Sequence, residues 1–119
     1  MQDLEDLYLH EYSRKSGNYI TTKKIYGKIV DFKKITDFKK LDEKIVLLEN
    51  ADPGYDFIFS HNIRGLITEY GGANSHMSIR CLELGIPAII GVGKKDYTLI
   101  SESNSIEINS KQKYYKILN

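Results

Sequence analysis

One stretch restricts this chain more than any other: residues 65–91, GLITEYGGANSHMSIRCLELGIPAIIG. It opens with four apolar-rich residues, GLIT, short enough for a buried strand. Gly71-Gly72 then breaks the pattern and permits backbone conformations closed to other residues. Ser75 is a good N-cap, and residues 75–84 have helical spacing. Gly85 followed by Pro87 ends that helix. Residues 88–90 form a second short apolar strand. The unit therefore reads strand, glycine turn, capped helix, turn, strand.

Strands flank it on both sides. Residues 25–30 (IYGKIV) and 44–48 (KIVLL) are strand candidates, separated by a Lys-rich loop with a short turn. Asp52-Pro53-Gly54 signals a turn, and residues 55–59 (YDFIF) make one or two helical turns. Residues 106–108 and 114–118 are two closing strands around a polar turn. The order predicts a mixed α/β layer fold. Residues 3–15 read as a short amphipathic helix, capped by Asp3 and stopped by Gly17-Asn18. Either it packs on this domain or it is the tail of a linker from an upstream domain. The chain thus divides into residues 1–20, a linker helix or N-terminal extension, and residues 21–119, one domain.

The 119 residues supply one modest core. Lys plus Arg total 17 and Asp plus Glu total 16, for a net charge of +1, which gives no support for a nucleic-acid or membrane partner. No apolar run approaches the roughly 20 residues of a membrane span. The N-terminal MQDLEDLYLHEY is acidic and unlike a signal peptide, so a cytoplasmic location is expected. One cysteine, Cys81, excludes an internal disulfide and a Cys-rich zinc site. His10 and His61 lie far from His76 in sequence, and no ligand type stands at i+3 or i+4 from it, so no metal site is expected.

The capped helix gives His76 chemical interest. Ser75 at the cap puts His76 in the first turn, where free N–H groups and the positive end of the helix dipole favour an anion. A neutral imidazole nitrogen is a competent nucleophile near neutral pH. A phosphoryl group on His76 would be such an anion. The plainer reading is a cap-region histidine beside a glycine turn. Met77, Cys81 and Leu84 share a helix stripe and are expected in the core.

Residues 65–91 resemble the signature of the mobile domain of the phosphoenolpyruvate-utilising enzymes. That family includes phosphoenolpyruvate synthase, pyruvate phosphate dikinase, the first enzyme of the sugar phosphotransferase system and kinases related to rifampicin phosphotransferase. Its pattern is approximately T-E-x-G-G-x-x-S-H, an apolar helix, then E-L-G-I-P-A-x-x-G. Thr68, Glu69, Gly71, Gly72, Ser75, His76, Glu83, Leu84, Gly85, Ile86, Pro87, Ala88 and Gly91 all stand in register. Upstream, KIVLLENADPGYD is similar to the family's strand and Asp-Pro turn.

The resemblance implies that His76 is the phosphorylated nucleophile and that Thr68, Gly71, Gly72 and Ser75 shape its pocket. It implies a swivelling β/β/α phosphohistidine domain moving between a loading and an unloading site. His76 would take a phosphoryl or pyrophosphoryl group from ATP and deliver phosphoryl to a small acceptor. ATP and Mg2+ are expected on a partner domain, an ATP-grasp-type unit, with an acceptor- or phosphoenolpyruvate-binding domain on the same full-length chain. The 119 residues hold no Walker-type loop, so no turnover is expected from them alone. The alternatives are a carrier exchanging phosphoryl with phosphoenolpyruvate and pyruvate, as in the synthase and dikinase, and an interaction module retaining the fold without the chemistry.

The chain departs from the pattern at Leu82, where the family usually has Arg. Arg80 stands two residues earlier. At about 100° per residue, position 80 lies almost beneath His76 and position 82 on the far side. Arg80 either reaches back toward a phosphate on His76 or pairs in solvent with Glu83 at i+3.

Overall fold

The computed structural model describes residues 13–14 and 17–118. Its strands are β1 (Ser13–Arg14), β2 (Asn18–Ile20), β3 (Lys24–Asp31), β4 (Ile45–Leu48), β5 (Gly65–Thr68), β6 (Ala88–Ile90), β7 (Ser105–Asn109) and β8 (Tyr114–Ile117). Among the described residues, two α-helices interrupt them, α1 (His76–Leu84) and α2 (Lys94–Ser101). The strands run in the order β1-β8-β7-β3-β4-β5-β6-β2.

β3 joins two halves of this curled, mixed sheet. Its first residues pair antiparallel with β7, from Lys24↔Asn109 to Lys28↔Ser105. Its last three pair parallel with β4, Ile29↔Ile45 to Asp31↔Leu47. From there the sheet continues parallel through β5 and β6. A central parallel strand has both faces covered and needs no polar alternation, and all four residues of IVLL and of GLIT are buried.

The two-residue period of a strand sorts those side chains into two cores. Val46, Leu48, Leu66, Ala88 and Ile90 face one side, where Met77 and Cys81 of α1 pack on them. Ile45, Leu47, Ile67 and Ile89 face the other, against Tyr97 and Ile100 of α2 and Ile106, Ile108 and Tyr115. One helix thus covers each face.

The Lys-rich loop contains two 3-10 turns, Phe32–Lys34 and Phe38–Leu41, whose preceding Asp31 and Asp37 carboxylates accept from Lys33 and Lys39 N–H groups at 3.0 Å. The helical turns after Asp52 are a 3-10 segment, Pro53–Ser60, with Pro53 at its first position.

Three features differ from the sequence reading. Most of the helix expected over residues 3–15 lies outside the described residues, but Ser13–Arg14 is extended and pairs with β8. Asn18–Ile20, expected to follow a helix stop, pairs antiparallel with β6 at the sheet edge. A backbone edge can recruit a short strand whose own pattern is weak. Helix α2 has no sequence expectation behind it: its N-cap is Gly93, without a side-chain cap, and it is only eight residues long.

Candidate active site

The site forms where β5 ends and α1 begins. Thr68, the last residue of β5, is fully buried. Its hydroxyl donates to the Tyr70 carbonyl at 2.9 Å and accepts from the Gly91 N–H at 3.0 Å. Its own carbonyl accepts from Gly91 and Val92 N–H at 3.1 and 3.0 Å. Thr68 therefore ties the turn after β5 to the turn after β6 and saturates buried polar groups in doing so.

Gly71 is needed at that junction. Its φ is +124°, and a Cβ there would stand 2.6 Å from Ala51 Cβ. Across the junction, a Cβ on Gly91 would strike the Gly71 carbonyl oxygen. Gly72 is different: its φ is not positive, and a Cβ there would meet nothing within 4 Å. The conformational freedom expected of both glycines is used by Gly71.

Ser75 caps α1 as its residue type predicts. Its backbone is extended, and its Oγ accepts from the Ser78 N–H at 3.4 Å. Its own N–H donates to the Gly72 carbonyl at 3.0 Å, bringing Gly72 and Ser75 together. His76 is then the first residue of α1, in the turn where helix N–H groups point outward. Its side chain is about one-third exposed, at 37%.

The ring has a carboxylate partner. His76 Nε2 lies 2.7 Å from Asp56 Oδ1, and Asp56 sits on the 3-10 segment Pro53–Ser60. Arg80, one turn along α1, donates Nε–H to the same oxygen at 3.0 Å. Its Nη1 reaches Glu83 Oε1 at 3.4 Å, and its guanidinium carbon lies 5.5 Å from the Phe59 ring centroid. The two sequence readings of Arg80 therefore both describe part of its position. It pairs with Glu83, and it also lies beneath His76, meeting Asp56 rather than the ring. The hydrogen bond from His76, and then that from Arg80, hold the Asp56 carboxyl below its ordinary range, against an opposing effect of partial desolvation. Because an ionised carboxylate only accepts, this contact puts a proton on Nε2 and leaves the neutral ring's lone pair on Nδ1.

Asp56 is the site residue that the sequence did not single out. It is the last residue of KIVLLENADPGYD, but 20 positions separate it from His76. Only the fold of the 3-10 segment against α1 brings the two together. Leu82, where an Arg was expected, points outward and is 64% exposed. Met77 and Cys81 are buried as the stripe predicts, but Leu84, the last residue of α1, is exposed. Burial pushes the Cys81 thiol up to about 12, which leaves it without thiolate character at neutral pH. Among the described residues, no group of three or more His, Cys, Asp or Glu is arranged to hold a metal, and no helix is long and apolar enough to cross a membrane.

Comparison with known proteins supplies the family. The model of the PEP-utilising enzyme mobile domain matches residues 40–113, a range that contains Asp56, Thr68, Gly71, Gly72, Ser75, His76 and Arg80. Rifampicin phosphotransferase of Bacillus cereus is 32% identical over 77 residues, 65% of this chain and 9% of that protein. Rifampicin phosphotransferase of Bacillus subtilis is 32% identical over 76 residues, 64% of this chain and 8% of that protein. The chain spans less than a tenth of the length of these relatives.

Proposed function

Since the chain belongs to the mobile-domain family of the PEP-utilising phosphotransferases, we propose that it is a phosphohistidine carrier in which His76 takes a phosphoryl or pyrophosphoryl group from ATP at one site and delivers phosphoryl to a small-molecule acceptor at another. The observation that carries the reading is His76 as the first residue of a Ser-capped helix, partly exposed, with Arg80 one turn below. A histidine there has a nucleophilic nitrogen, helix N–H groups and a cation for the anion it would become. The likeness to rifampicin phosphotransferases favours ATP as the donor.

The length of the relatives leaves room for partner domains. The nucleotide-binding domain, of ATP-grasp type and holding ATP and Mg2+, and the acceptor domain belong to a longer cytoplasmic chain. This domain swivels between them and carries no nucleotide or metal itself. A carrier exchanging phosphoryl with phosphoenolpyruvate and pyruvate is the second reading, which the same family membership supports.

Labelling separates the readings. The full-length protein incubated with γ- or β-labelled ATP should acquire label on His76 that is lost in acid and survives alkali. His76→Asn should abolish it with little change in Tm, because the ring is partly exposed and outside both cores. Equal labelling of His76→Asn refutes the carrier. Labelling by phosphoenolpyruvate alone keeps the carrier and discards ATP. No label from either donor leaves the non-catalytic module.

A further inference from the structure

An anion already stands where a phosphoryl group on Nε2 would sit. Asp56 Oδ1 is 2.7 Å from His76 Nε2, and Arg80 Nε is 3.0 Å from that same oxygen. A covalent N–P bond is shorter than this hydrogen bond, so phosphorus and its oxygens on Nε2 need the space the carboxylate fills. Nε2 is also the ring nitrogen farther from the backbone, and it is the side on which Arg80 is placed. Resting on the carrier reading above, we propose that Asp56 is a stand-in for the phosphoryl group: it covers Nε2 in the unloaded domain, the incoming group displaces it, and Arg80 passes from carboxylate to phosphate.

The surroundings suit such an exchange. Asp56 is 42% exposed, so its side chain has solvent to withdraw into. Arg80 has two other contacts, Glu83 at 3.4 Å and the Phe59 ring at 5.5 Å, that hold its guanidinium while Nε changes partner. A dianion attracts that guanidinium more strongly than one carboxylate does, and charge-assisted bonds to phosphate are among the strong ones.

The chemistry balances without a further reactant beyond the phosphoryl donor. In the unloaded domain the ring proton is on Nε2, donated to Asp56. Exchange through water moves it to Nδ1, and Oδ1 then faces a lone pair instead of a donor. The carboxylate withdraws. Nε2 attacks the phosphorus of a phosphoanhydride or enol phosphate, and the N–P bond forms. The donor's bridging P–O bond breaks, its electron pair staying on the departing oxygen, and the ring keeps its one proton on Nδ1. Asp56 thereby protects the nucleophilic nitrogen from wasteful reaction until a donor is close enough to compete.

The test uses the full-length protein and potassium phosphoramidate, a histidine-directed phosphoryl donor that needs no nucleotide site. Asp56→Ala and Asp56→Asn should each raise the phosphorylated-to-free ratio of His76 at the end point roughly threefold, and Arg80→Ala should lower it roughly threefold to tenfold. Correlated 1H, 15N and 31P NMR should place phosphorus on Nε2. An unchanged or lower ratio in both Asp56 variants, or phosphorus on Nδ1, overturns the exchange and makes Asp56 a fixed orienting partner. The carrier reading fails separately: it falls when wild-type protein takes no phosphoryl group on His76 from either phosphoramidate or ATP.

Discussion

His76 has a buried side and a charged side, and the two are built differently. Where the turn leads into α1, Thr68, Gly71 and Gly91 are locked by backbone contacts and hydrogen bonds between the turns after β5 and β6. Beside it, Asp56, Arg80 and Glu83 are partly exposed and held by side chains alone. The buried side fixes where the start of α1 lies, with Gly71 packed against Ala51 and Ile90 of one core. The charged side ties the 3-10 segment to α1 only through partly exposed side chains and can rearrange at low cost. The proposed carrier role needs both properties, a nucleophile presented in a constant position and surroundings that answer to its charge.

The comparison breaks most sharply at the glycine pair. Gly71→Ala forces a positive φ on an L residue, at about 1–2 kcal/mol, and overpacks Ala51, at about 1–3 kcal/mol. Together these cost about 2–5 kcal/mol, and Tm should fall by about 8 °C or more. Gly72→Ala meets open space and should stay within about 0.5 kcal/mol of wild type. Thermal melts of the two variants decide it. Equal losses would mean that the junction is not the rigid half. A bulky residue at Gly72 should act instead on labelling, by narrowing the approach to His76.

Thr68→Val comes next. It keeps the shape but removes a hydroxyl that accepts from Gly91 and donates to Tyr70. The Tyr70 carbonyl loses its partner in a part-buried setting, at about 1 kcal/mol. Stability should drop in a denaturant titration while the Asp56–His76 contact persists, as judged by the His76 ring resonances. A change in those resonances as large as in Asp56→Ala would show that the two sides are coupled.

The same division governs what the sequence revealed. The buried side was legible because its constraints are local and covalently close: Ser75 caps the residue next to it, Gly71 turns where a strand ends, and IVLL and GLIT announce short strands. One overreading was to treat Gly71 and Gly72 alike, since a dipeptide does not say which residue takes the positive φ; another was to bury Leu84, which ends α1 exposed. The charged side was only half legible. Helix geometry placed Arg80 under His76, but the anion between them comes from a separate segment 20 residues upstream, and no periodicity links two such positions. Helix α2 was invisible for a related reason. Its burial of Tyr97 and Ile100 is created by the opposite face of the sheet, not by a cap or a repeat within its eight residues.

The smallest expected effect is also the most selective probe of the charged side. Asp56 lies below its ordinary pKa of about 3.9 because His76 donates to it first and Arg80 second. A carboxyl depressed in the fold contributes stability that is present above the unfolded value and is lost as pH falls through the folded one. The window is therefore acidic, below about pH 4, and nothing attributable to Asp56 should change between pH 5 and 8. Following the Asp56 carboxyl carbon by NMR, His76→Ala should return it toward the ordinary value by more than Arg80→Ala does, and added salt should weaken both effects because the group is exposed. The reverse order would make Arg80 the principal holder of the carboxylate. Phosphorylation of His76 would then have to compete for a cation already committed to Asp56, and the loaded state would gain little from Arg80. With His76 as the principal holder, loss of the Nε2 proton leaves the carboxylate held by Arg80 alone, the condition under which a phosphoryl group on Nε2 can compete for both the position and the counter-ion.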